Sequence, residues 1–83
     1  MSKDTIHSMK VKRYDDRLFK LDVGFRSSNV VSKKLQRFSD VGTARDIEQH
    51  LRSTDKELEM GAVNFKEGVD YGKLKQKIRS LIQ

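Results

Sequence analysis

Within eleven residues the chain places Lys10, Lys12, Arg13, Tyr14, Arg17 and Lys20, and Lys33, Lys34 and Arg37 follow. The chemistry open to such a set is the binding of a polyanion. Ammonium and guanidinium groups neutralise phosphates, while Arg and Tyr can reach sugars or base edges. No comparable set points to catalysis. The only histidines, His7 and His50, fall outside any metal-ligand spacing, and there is no cysteine to supply a thiolate, a disulfide or a redox pair. His50 reads as a surface or boundary residue of a helix. Asp15 and Asp16 adjoin, but neighbouring side chains in a turn point apart and form no acid–base dyad. The five glycines are scattered, so no phosphate-cradling loop of the Walker or dinucleotide type is present. Without a nucleophile, base and orienter in convergence, the chain reads as non-enzymatic, with no cofactor and no metal.

The charges are unevenly placed. The net charge is +6, of which residues 1–40 carry +5, residues 41–70 carry −3 and residues 71–83 carry +4. Two basic segments that meet in space would attract a polyanion. A net charge of this size also serves plain solubility. No apolar run is long enough for a signal peptide or a membrane span, which together with the lack of cysteine suits a reducing cytoplasm and gives no reason to expect a membrane partner.

The elements that must hold these cations can be read from periodicity. Eighty-three residues make one domain, 1–83, with residues 1–5 a loose start. From Ile6 to Tyr14 the pattern alternates, Met9 and Val11 on one face and Lys10, Lys12 and Tyr14 on the other. Asp15-Asp16 supplies turn chemistry. From Leu18 to Phe25 the alternation is cleaner: Phe19, Leu21, Val23 and Phe25 share a face opposite Lys20, Asp22 and Gly24, the pattern of a half-buried strand. Val30 to Phe38 reads as a third strand, with a bulge near Ser32 to Lys34 to reconcile its parity. Then the period changes. Asp40 or Thr43 can cap a helix carrying Val41, Ala44, Ile47 and Leu51 in one stripe, Thr43 and Asp46 forming a capping box. That helix ends near Ser53-Thr54-Asp55, with a short extra turn to Met60 and Gly61 as a C-cap. Ala62 to Phe65 suits a short strand. Asp70 then caps a final helix with Leu74, Ile78, Leu81 and Ile82 on one stripe. The sum is an α+β domain of order β-β-β-α-(β)-α: a small three-stranded antiparallel sheet, with room for a short fourth strand, packed against two helices. The expected core is Val11, Phe19, Leu21, Val23, Phe25, Ile47, Leu51, Leu74, Ile78 and Leu81.

The run from Leu35 to Leu51, LQRFSDVGTARDIEQHL, resembles the strand-to-helix passage in the N-terminal arm-type DNA-binding domains of phage-type tyrosine recombinases. Phe38 matches the aromatic that closes their third strand, Asp40 the small capping residue two positions on, and Ala44, Ile47 and Leu51 the helix that follows. Lys33, Lys34 and Arg37 match their basic third strand. Where those domains have an aromatic-rich first strand, this chain offers Tyr14, and a basic helix follows where they continue into a catalytic domain. The resemblance implies a three-stranded sheet whose open face enters the major groove of DNA, in a protein of phage or mobile-element type.

A three-stranded sheet is about 10 Å wide, a fit for a major groove of about 12 Å. The expected function is duplex DNA binding by the basic sheet face. Lys10, Lys12, Lys20, Lys33 and Lys34 would meet phosphates, and Arg13, Tyr14, Arg17 and Arg37 the groove. RNA ranks below DNA because paired sheet aromatics are lacking. The alternative is a protein-interaction module, a small regulator or inhibitor of a larger enzyme, using either the cations or the acidic middle (Asp46, Glu48, Asp55, Glu57, Glu59). The last helix, with Lys73, Lys75, Lys77 and Arg79 around an apolar stripe, can pack on the core with snorkelling lysines, touch nucleic acid, or dock on a partner.

Overall fold

Phe19 to Arg26 form the central strand, β2, because their strict alternation gives one apolar and one polar face. The computed structural model describes residues 4–27 and 35–83. Around β2 stand β1 (Asp4–Arg13), β3 (Gln36–Gly42) and β4 (Val63–Phe65), with the helices α1 (Ala44–Met60) and α2 (Tyr71–Ile82). The chain order is β-β-β-α-β-α, and the strands lie in the order β3-β2-β1-β4. The sheet therefore has four strands. It is mixed, since β4 runs parallel to β1 while the other pairs are antiparallel.

Both helices cover one face. Ile6, Met9, Phe19, Leu21 and Val23 of the sheet form a single buried cluster with Ile47 and Leu51 of α1 and Ile78 of α2. Ile6 and Met9 differ in parity, yet both are buried. Register explains this: Ile6 pairs with Phe25 and Ser8 with Gly24, so His7 is an extra residue that flips the strand's facing. The parity change thus sits in β1. The bulge expected near Ser32 to Lys34 lies outside the described residues, as do Val30 and Val31 of the expected third strand.

Several boundaries differ from the periodicity. Asp4 and Thr5 already belong to β1. The third strand continues past Phe38 to Gly42, because β2 offers partners down to Phe19, which pairs with Gly42. Val41 and Asp40 are consequently strand residues. Val41 is exposed rather than part of the α1 stripe, and Asp40 is not a cap. Thr43 caps α1: its hydroxyl accepts from the Asp46 amide at 3.3 Å, while the Asp46 carboxylate accepts from the Thr43 amide at 2.9 Å. A Cβ on Gly42 would sit 2.8 Å from that of Asp46, so this tight strand-to-helix turn requires glycine.

α1 also runs unbroken through Ser53-Thr54-Asp55 to Met60. Thr54 does not end the helix. It is buried, and its hydroxyl donates to the His50 carbonyl at 3.0 Å, satisfied within the helix. Gly61, at φ 77°, closes α1 as expected, and Asp70 caps α2 by accepting from the Lys73 amide at 3.2 Å.

The core departs from expectation in one residue and gains others. Leu81 is 36% exposed, for β4 spans only Asp4–Ile6 of β1, and beyond it no described strand lies beneath that end of the α2 stripe. Val11, Phe25 and Leu74 are half-buried against the cluster. Phe65 and Tyr71 stack at 4.5 Å, and the Tyr71 hydroxyl donates to the Leu51 carbonyl at 3.0 Å, which fastens α2 to α1.

Candidate nucleic-acid interface

The face of the sheet turned away from the helices collects the cations. Side chains paired directly across strands leave on the same side. The partners Lys10–Asp22 and Lys12–Lys20 therefore share the open face with Ser39 and Val41 of β3 and with the Arg37–Gly24 pair. Arg26, paired with Thr5, joins them. A hydrogen bond between the Ser39 hydroxyl and the Asp22 carboxylate shows both on this side. Among the described strand residues Asp22 is the one acid here, against Lys10, Lys12, Lys20, Arg26 and Arg37.

The other sequence candidates divide. Tyr14 and Arg17 are exposed in the β1–β2 connection, next to the Lys12–Lys20 end of the face. The Tyr14 amide donates to the Leu18 carbonyl at 2.9 Å, closing the hairpin. Arg13 belongs elsewhere. It pairs with Phe19, a core residue, so it lies on the helix side. Its guanidinium stands 5.2 Å from the Phe19 ring centroid and donates to the Asp16 carbonyl at 3.1 Å. Arg13 therefore braces the turn from the helix side and does not share the open face with the other candidates. Lys33 and Lys34 lie outside the described residues. Arg26 escapes the sequence reading because it follows the last apolar residue of β2 and reads as turn. Carrying the alternation one residue further finds it.

The basic C-terminal helix takes a different role from the sheet. Arg79 donates to Glu48 of α1 through two nitrogens, at 2.9 and 3.2 Å, and Lys75 to Asp55 at 3.1 Å. The acidic middle and the basic end of the sequence thus meet each other across the α1–α2 seam. Two acids that could have faced a basic partner are engaged, and a third, Asp46, holds the capping box. Among the described residues, what remains of the positive excess is concentrated on the open sheet face.

That seam sets an acid sensitivity. Burial pushes the Asp55 carboxyl up, but the Lys75 ammonium, with Tyr71 and Arg79 nearby, outweighs it and holds the group below the usual carboxylate range. Burial, reinforced by Asp55, pushes the Tyr71 hydroxyl well above its ordinary value. A carboxyl depressed by folding stabilises the fold above its unfolded value and ceases to do so as pH falls through its folded one. The domain should therefore weaken as pH falls below about 4, and Asp55→Asn should lose less over that range. Urea midpoints at about pH 6 and about pH 3 check this. Equal acid losses in both proteins would contradict it.

Among the described residues no group of three or more His, Asp or Glu is placed to hold a metal ion, and no helix is long and apolar enough to cross a membrane. The arrangement can neutralise a row of phosphates. The paired strands of the β1–β2 hairpin form a ribbon of the size a major groove admits. No family model, curated protein or solved structure matches the chain, so the open sheet face itself carries the functional reading.

Proposed function

We propose that the protein is a non-enzymatic DNA-binding module that lays the open face of its sheet on the duplex. One observation carries this reading: Lys12 and Lys20 stand directly opposite each other on a face that no described element covers. Like charges opposed across strands destabilise a sheet, so the pair is a cost to folding that a bound polyanion relieves. Lys10, Arg26 and Arg37 extend the patch to the neighbouring strands, and Tyr14 and Arg17 at the hairpin tip are the groups placed to enter the groove. Lysines on a wet sheet face also guard its edges, but Lys20 is on the central strand, where there is no edge to guard.

Binding to a fluorescent duplex, followed by anisotropy, should weaken steeply with salt, the log–log slope falling by about 0.9 for each phosphate neutralised. Five face cations put the slope between about −2 and −5. Absence of binding to any duplex at low salt overturns the proposal. Tighter binding to single strands than to duplex moves the target to RNA or single-stranded DNA.

A further inference from the structure

A groove of about 800 Å³ runs between β1 and α2. Six consecutive residues of β1, His7 to Lys12, line it. Alternate side chains leave a strand on opposite faces, so consecutive residues can border one groove only along the strand's edge. That edge has no strand beside it among the described residues, because β4 pairs with β1 only from Asp4 to Ile6. An unpaired edge offers a row of backbone donors and acceptors. The opposite wall is the α2 stripe, with Leu74, Ile78 and the exposed Leu81, and Val69 at its foot. The polar rim carries Lys10, Lys12 and Lys77, and no acid lines the groove.

We infer that this groove is a docking site for an extended acidic peptide, which adds to the free edge of β1 as a further strand. Backbone hydrogen bonds along His7–Lys12 supply the pairing. Alternate apolar side chains of the peptide fall against Leu74, Ile78 and Leu81, and its carboxylates meet Lys10, Lys12 and Lys77. At about 3.3 Å per residue the edge spans about 20 Å, room for a strand of five or six residues. Charge also argues against a second copy of this chain as the occupant: the edge of β1 would bring Lys10 and Lys12 against the same lysines, and like charges across a strand pair repel.

The probe is an isotope-edited NMR titration of the full chain with an acetylated octapeptide alternating valine and glutamate, with the valine–lysine octapeptide as control. The expected result is chemical-shift change at the amides of His7 to Lys12 and at α2, with the glutamate peptide alone, and slowed hydrogen exchange along β1. Leu81→Glu, a change at an exposed position, should weaken that binding by about tenfold or more while DNA affinity stays within about twofold, because Leu81 lies outside the open sheet face. The inference is overturned if neither peptide shifts these amides, if both peptides do so equally, or if the same amides shift with protein concentration alone, which would make a second copy the occupant. Lys10 and Lys12 border both the groove and the open sheet face, so the Leu81→Glu variant, which alters the groove away from that face, is what separates peptide docking from DNA binding.

Discussion

Leu21→Ala should unfold the domain or bring it close to unfolding. Leu21 is 2% exposed at the middle of the central strand, between Val11 and Asp40 in register, and it belongs to the cluster formed with Ile47, Leu51 and Ile78. Truncation of a fully buried leucine removes its transfer free energy and leaves a cavity, a loss of about 2–5 kcal/mol. A domain of this size has a total stability of roughly 4–12 kcal/mol, so the change takes a large share of it. Leu81→Ala is the matched control. Helical spacing places Leu81 in the core, but it is partly exposed, and its truncation should cost less than about 1 kcal/mol. Urea denaturation followed by circular dichroism measures both. A Leu21→Ala midpoint equal to that of the unaltered chain would contradict the assigned facing of β2, and equal losses at the two leucines would contradict the assigned position of α2.

Lys12→Glu combined with Lys20→Glu should abolish DNA binding and leave the fold intact. The two residues are directly opposite on β1 and β2, so reversing both keeps one like-charge pair in place of another. The change in stability should stay within about 0.5 kcal/mol. A hydrogen bond from a lysine ammonium to a phosphate is worth about 1.5 kcal/mol or more, so removing two should lower affinity by about a hundredfold or more. The salt slope should flatten by about 2, one phosphate for each lysine. The control is Lys56→Glu combined with Lys73→Glu, which changes net charge equally on the helices behind the sheet. Binding by the control within a few-fold of the unaltered chain, beside loss in the sheet variant, places the DNA on the open face. Equal weakening in both pairs would show that net charge alone governs binding and would remove the reason for assigning the face.

Local rules are readable where one interaction dominates. The alternation from Phe19 to Phe25 locates β2 and its buried side, because period two admits only one facing for four apolar residues. The reciprocal Thr43–Asp46 pair, Gly61 and Asp70 mark helix ends through chemistry confined to four or five neighbouring residues. The misreadings occur where a distant partner decides. Val41 fits the helical stripe of Ala44, Ile47 and Leu51 by spacing, but β2 continues to offer pairing partners, and the backbone stays extended through Gly42. Ser53-Thr54-Asp55 reads as a helix end, but the His50 carbonyl satisfies the Thr54 hydroxyl within a helix that packs against the core.

The candidate site divides the same way. Sequence by itself determined that the chain is α+β and that Lys10, Lys12 and Lys20 lie opposite an apolar face, since these follow from residue types and from periods of two and 3.6 residues per turn. Only the tertiary structure decided which cations remain for a partner. Glu48 and Asp55 are 31 and 20 residues from Arg79 and Lys75, and nothing local to either segment signals that they meet. Nor could sequence show that β4 ends after three residues, so that no described strand borders the edge of β1 beside α2. Pairing across the chain is set by the balance of burial and register over the whole domain, and that balance is struck only when the sheet and helices close on one core.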